Sequence, residues 1–99
     1  SLELAMDAVP RGIDPAEVAA WLRAQPGVAE VHDLHIWALG TTETALTAHL
    51  VRPGAGPDDA FLAAAREGLR ARFGIAHPTL QVEAGDPAQP CPLAPATAL

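Results

Sequence analysis

The residues best suited to chemistry in this chain are its four histidines, His32, His35, His49 and His77, set among carboxylates and a single cysteine, Cys91. Their spacing puts several of them on strands. From His77 to Glu83 (HPTLQVE), His77, Thr79, Gln81 and Glu83 share one parity, and on a strand they share one face while Leu80 and Val82 point to the other. The apolar pair must face a core, which sends His77 and Glu83 to the open side. In the run from Glu43 to Val51, Leu46, Ala48 and Leu50 form the apolar set, so His49 points outward with Ala45, Thr47 and Val51. Two imidazoles and a carboxylate on the uncovered side of one sheet make a cation site.

The preceding apolar run decides which further histidine joins that face. One hairpin register sets His32 directly opposite His49, with Cβ atoms ~5 Å apart. The register slipped by one pairs Leu34 and Ile36 with Ala48 and Leu46, a cleaner core, and sends His35 and Trp37 outward. A β-bulge near Asp33 would reconcile a buried Leu34 and Ile36 with His32 beside His49. The sequence leaves these alternatives open.

A divalent ion such as Zn²⁺ takes four N, O or S ligands in a tetrahedron, and His32, His49, His77 and Glu83 offer such a set. Taken singly, each is as readily a solvated or hydrogen-bonded strand residue, and none lies at the spacing of helical zinc motifs. Cys91 is soft enough to ligate zinc, although in a proline-rich tail its plainer reading is a free, exposed thiol. Enzyme chemistry lacks its parts. Ser1 is the only serine and is terminal, lysine is absent, and no glycine-rich phosphate loop follows a strand, so the chain is read as a non-enzyme.

The elements that must position these residues follow from periodicity and punctuation. Asp14-Pro15-Ala16-Glu17 reads as a helix start, with Asp14 as N-cap and Glu17 where a carboxylate can reach back to it. Val18, Trp21 and Leu22 form its stripe, which predicts a helix over about 14–24, stopped by Pro26-Gly27. Residues 28–39 and 43–51 make a hairpin around Gly40-Thr41-Thr42. Pro57-Asp58-Asp59 opens a second helix lined by Phe61, Leu62, Ala65, Leu69 and Phe73 and closed by Gly74, and the strand from His77 to Glu83 follows. The lead-in before Pro10 reads as either a frayed helix end or an extended segment. The order αββαβ predicts an α+β fold, an open ferredoxin-like, metallochaperone-like sandwich with two helices on one face of a three-stranded sheet. Residues 1–84 form this domain. Residues 85–99, with Pro87, Pro90, Pro92 and Pro95 and no periodicity, read as a disordered tail.

Ninety-nine residues bound this to one small core. A net charge of -6, with six scattered arginines as the only cations, works against nucleic acid as a partner. The longest apolar run is far short of the ~20 residues of a membrane span, and no export signal is evident, so the chain is expected to be soluble. One cysteine makes no intrachain disulfide and suggests a reducing compartment.

Four segments in order carry a resemblance: VPRGID from Val9 to Asp14, VHDLHIW from Val31 to Trp37, TAHL from Thr47 to Leu50 and HPTLQVE from His77 to Glu83. Over about residues 2–84 the chain resembles the cytoplasmic C-terminal domain of cation diffusion facilitator transporters, nearest to the zinc/cadmium/cobalt-resistance branch. The resemblance implies a domain on the cytoplasmic face of the cell membrane, following a transmembrane domain absent here that exchanges divalent cations for protons. It further implies a V-shaped homodimer that metal closes, thereby regulating transport. It carries metal-ligand roles to His32, His49, His77 and Glu83, and recommends Cys91 as a ligand from the tail or from a partner subunit. Zn²⁺ is the expected ion, with Cd²⁺, Co²⁺, Ni²⁺ and Cu²⁺ also suited to such donors. Two departures, Ala76 where some relatives carry another ligand and a lone cysteine in the tail, imply a weaker site than the best-equipped relatives have. A free-standing metallochaperone or metal buffer of the same fold is the alternative.

Overall fold

The computed structural model of the chain describes residues 4–5 and 9–94. Six elements run in the order β1 (Leu4–Ala5), α1 (Pro15–Arg23), β2 (Glu30–Leu39), β3 (Glu43–Val51), α2 (Asp59–Phe73) and β4 (His77–Glu83). Both helices begin and end where the sequence signals them. Asp14 caps α1 by accepting from the Ala16 N–H at 2.9 Å, and Pro15 occupies the first turn, where its missing N–H costs nothing. No bond from Glu17 back to the cap is found among the described residues; Glu17 lies in the first turn, where the helix dipole favours an acid. Asp58 caps α2 through the Phe61 N–H at 2.9 Å. At its far end Gly74 adopts φ 69°, and the N–H groups of Gly74 and Ile75 close onto the carbonyls of Arg70 and Leu69. That turn drives Ile75 into the core, where it is fully buried.

The sheet order is β1-β2-β3-β4. β2 and β3 form the antiparallel hairpin, and β3 and β4 pair in parallel, α2 serving as the crossover. The sheet thus gains a two-residue edge beyond the expected three strands: Leu4 and Ala5 pair in parallel with Leu34 and His35, so this part of the lead-in is extended rather than helical. Val18 and Leu22 of α1 and Phe61 and Leu69 of α2 are buried with Leu34, Ile36, Leu46, Ala48 and Leu50 of the sheet in one cluster. The opposite face of the sheet carries the polar residues.

Both hairpin registers are present, joined by a bulge. His32 stands opposite His49, whereas His35 pairs with Thr47 and Ile36 with Leu46. The shift falls between His32 and His35, where Asp33 has φ 51°. Before the bulge the strand presents His32 to His49; after it, Ile36 is buried beside Leu46. Residues 85–94 follow β4 as the first part of the proline-rich tail. They contain no helix or strand but make two turns, with Gln89 N–H donating to Asp86 O and Ala94 N–H to Cys91 O. Residues 95–99 lie outside the described residues.

The helices touch where α2 lacks a side chain. A Cβ at Gly68 would stand 2.2 Å from the Trp21 ring, and that indole meets Phe73 edge-on with centroids 6.1 Å apart. Gly68→Ala should therefore lower the melting temperature although alanine improves helix propensity by about 1 kcal/mol. In a Trp21→Ala background the same change should become neutral or stabilising, a reversal that thermal melts of the four-variant cycle read directly.

Candidate metal centre

The site grows out of three strands and the segment after them. The local register sets His32 of β2 opposite His49 of β3. Parallel pairing matches His49 with Gln81 and Val51 with Glu83, so Glu83 lies two residues beyond the position beside His49. That spacing keeps one face, and the carboxylate reaches back to the imidazoles. The chain then turns at Gly85, whose φ is 76° and whose absent Cβ would lie 3.1 Å from Val51 Cγ1. Asp86 steers the return by accepting from the Ala88 N–H at 2.9 Å through its side chain. The segment comes back along the sheet and brings Cys91 Sγ to 3.6 Å from His49 Nδ1.

His32, His49, Glu83 and Cys91 each offer one ligand atom, and these atoms lie within 4.8 Å of one another. His49 Nδ1 and Glu83 Oε2 are 2.8 Å apart, and His32 Nε2 and Glu83 Oε1 are 3.3 Å apart. The two imidazoles have centroids 5.1 Å apart. A tetrahedral zinc site has ligand-to-ligand edges of about 3.3–3.8 Å from its bond lengths. The 3.3 and 3.6 Å separations already match such edges. The 2.8 Å pair is a hydrogen bond that an ion between the two atoms would replace.

His32 supplies the chemical test of fit. It is 2% exposed, and both its ring nitrogens are buried without a hydrogen-bond partner among the described residues. Leaving a buried polar atom unpaired costs about 1–3 kcal/mol, so an imidazole here is accounted for by a ligand that takes its lone pair. Glu83 is prepared for the same task. Burial pushes its carboxyl up, but hydrogen bonds from Cys91, Gln81 and His49 and the charge of His32 together outweigh that and hold it below the ordinary range. The residues present fit a divalent ion with borderline-soft preferences. A cleft of about 560 Å³ lined by His32, Gln81, Glu83 and Cys91 gives access to them.

His77 is the correction. It shares the outward parity of Glu83 but begins β4 opposite Ala45, six residues from Glu83. At ~3.3 Å per residue that is roughly 20 Å, beyond the reach of any side chain. It pairs instead with Glu43 and is half exposed. Parity fixed its face and said nothing of its position along the strand. Cys91, whose plainer sequence reading was a free exposed thiol, is brought into the cluster instead. Asp33 was not expected to serve the site, and only one of the two registers turns His35 to its face; Asp33 Oδ2 stands 3.4 Å from His49 Nε2 while Oδ1 is 2.8 Å from His35 Nε2. The signal was there in an acidic residue at the one position where a bulge would reconcile the two registers.

With this geometry in hand, comparison with known proteins is informative. The chain is 40% identical over 84 residues to the metal cation efflux system protein CzcD of Cupriavidus metallidurans, a stretch covering 84% of this chain and 27% of that protein. It is 41% identical over 81 residues to the zinc transporter ttm-1 of Caenorhabditis elegans, covering 82% of this chain and 20% of that one. The chain thus spans about a quarter or less of the length of these relatives. Among solved structures, the metal-bound C-terminal domain of the CzcD transporter superposes with a TM-score of 0.65 at 40% identity, covering 72% of this chain and 99% of that one. CzrB in its zinc form superposes at 0.66 and 24% identity, covering 86% of this chain and all of that one, a likeness of fold. No helix among the described residues is long and apolar enough to cross a membrane. The family model of the cytoplasmic domain of cation efflux proteins matches residues 10–85, and the chain belongs to that family.

Proposed function

We propose that this domain binds a divalent cation, zinc first among the candidates, through His32, His49, Glu83 and Cys91, and that binding regulates a cation efflux transporter of which the domain is the cytoplasmic part. The observation that carries the reading is the convergence of two imidazoles, a carboxylate and a thiol within 4.8 Å, one of the imidazoles being a buried histidine whose ring nitrogens have no hydrogen-bond partner among the described residues. Two nitrogens, an oxygen and a sulfur suit Zn²⁺ and Cd²⁺ better than the hard ions Mg²⁺ or Ca²⁺. The metal-bound state of the CzcD C-terminal domain supports the same reading.

In this reading the residues work as follows. His32 and His49 give fixed nitrogen donors from adjacent strands. Glu83 adds a negative oxygen and loses its hydrogen bond to His49 in doing so. Cys91 ties the returning segment to the sheet, so that ion binding and docking of residues 84–94 stabilise one another. Two copies pair, and the net charge of -6 on each resists their close approach until bound cations offset part of it. Closure of the pair is then the signal passed to a membrane domain that exchanges cations for protons.

The testing experiment is a thermal melt of the chain with and without zinc. At zinc a hundredfold above Kd, stabilisation of about 2.7 kcal/mol is expected, on the order of 10 °C in a domain of this size. The shift should vanish near pH 5, where protons compete for the imidazole nitrogens. Glu83 behaves oppositely in sign to a histidine gaining a partner: its folded-state value is depressed, so its own contribution is full at neutral pH and fades only as pH falls through that depressed value. Absence of any zinc-dependent shift at neutral pH would refute the reading. A second check separates the strand positions. His49→Ala should abolish the zinc shift and Cys91→Ala should weaken it, whereas His77→Ala should leave it intact when followed by calorimetry.

A further inference from the structure

We propose that Asp33 is a positioning residue for the metal centre, holding the His49 ring so that its Nδ1 lone pair faces the other donors; the inference rests on the metal-binding reading above. The two ring nitrogens of His49 meet different groups. Nδ1 lies 2.8 Å from Glu83 Oε2 and 3.6 Å from Cys91 Sγ. On the other edge of the ring, Nε2 lies 3.4 Å from Asp33 Oδ2, an ion-pair rather than a hydrogen-bond distance. The second oxygen of Asp33 is held at 2.8 Å by His35 Nε2, so the carboxylate is itself oriented. A neutral imidazole has one N–H and one lone pair: without an ion Nδ1–H donates to Glu83, and an ion taking the Nδ1 lone pair leaves the proton on Nε2, where Asp33 is the anionic group that meets it. A carboxylate behind a ligating imidazole also makes that ligand more basic.

The backbone points the same way. In a regular strand the residue after His32 would point to the opposite face, into the core. The bulge and the φ of 51° at Asp33 bring its carboxylate onto the side of His49 instead. Two residues adjacent in sequence thereby serve one imidazole, His32 beside the ring and Asp33 at its far nitrogen. Glycine meets a positive φ with less strain than aspartate does, so the backbone requirement alone does not call for a carboxylate at this position.

That contrast supplies the test. Asp33→Gly suits the bulge and removes the acceptor, and Asp33→Asn keeps an acceptor oxygen without the charge. The metal-free melting temperature of D33G should equal or exceed that of the wild-type chain, while its zinc affinity, measured by competition with a chromophoric chelator, should fall by about 10- to 100-fold. D33N should lose less. Nitrogen-15 spectra of histidine-labelled, zinc-loaded wild-type chain should show the His49 proton on Nε2, and D33G should lose that single tautomer. Equal zinc affinity in D33G and wild type, or a proton on Nδ1 with the ion at Nε2, overturns the role of Asp33 and leaves the metal centre standing. A fall in the metal-free melting temperature of D33G together with wild-type affinity in D33N marks a structural role and overturns it as well. Failure of the wild-type chain to bind zinc overturns both proposals.

Discussion

A strand alternates its side chains with a period of two, and β2 has to satisfy two demands that this period sets against each other. Its second half must bury Ile36 against Leu46, and its first half must present His32 to His49. The bulge at Asp33 removes the conflict by inserting one residue between the halves. Without that insertion a single register would either expose the apolar pair or turn His32 away from its partner. The core beneath the sheet and the donor cluster above it therefore depend on the same local departure from regular pairing.

Two further devices tie the cluster to the frame. Arg52 follows β3, and its backbone N–H donates to the Glu83 carbonyl at 2.8 Å while its guanidinium lies 3.8 Å above the Phe61 ring and donates to the Pro26 carbonyl. The strand end that carries Glu83 is thus fastened to the start of α2 and to the turn leading into β2. Gly85 then lets the chain pass close over Val51 and return with Cys91. The donors come from four places in the chain, but three of them stand on paired strands, whose geometry changes little. Only Cys91 approaches on an irregular segment.

Legibility differed between frame and site for a physical reason. The helices over residues 15–23 and 59–73 and the three long strands were marked by caps, glycines and parity, which are local properties of the chain. The two-residue edge strand carried no such mark, because a short parallel pairing depends on a neighbour thirty residues away rather than on its own pattern. Of the expected ligands, His32, His49 and Glu83 converge because pairing aligns them. His77 had the right face and the wrong end of the strand. One register turned His35 to the outward face and Asp33 marked the place of a bulge, but nothing in their own types told that the Asp33 carboxylate would stand between the imidazoles of His35 and His49.

The amino-acid sequence alone determined the kind of fold, the outward face of β3 and β4 and the donor types available, because hydrophobic periodicity and capping act over a few residues. It also carried the family, through motifs in a set order. Tertiary structure decided which donors meet. Distance along a strand and the one-residue shift at Asp33 are settled by pairing between remote segments, which leaves His77 beside Glu43, while the turn at Gly85 and the return of residues 84–94 bring Cys91 into the cluster. A ligand set is a set of distances, and distances between strands exist only once the strands have paired.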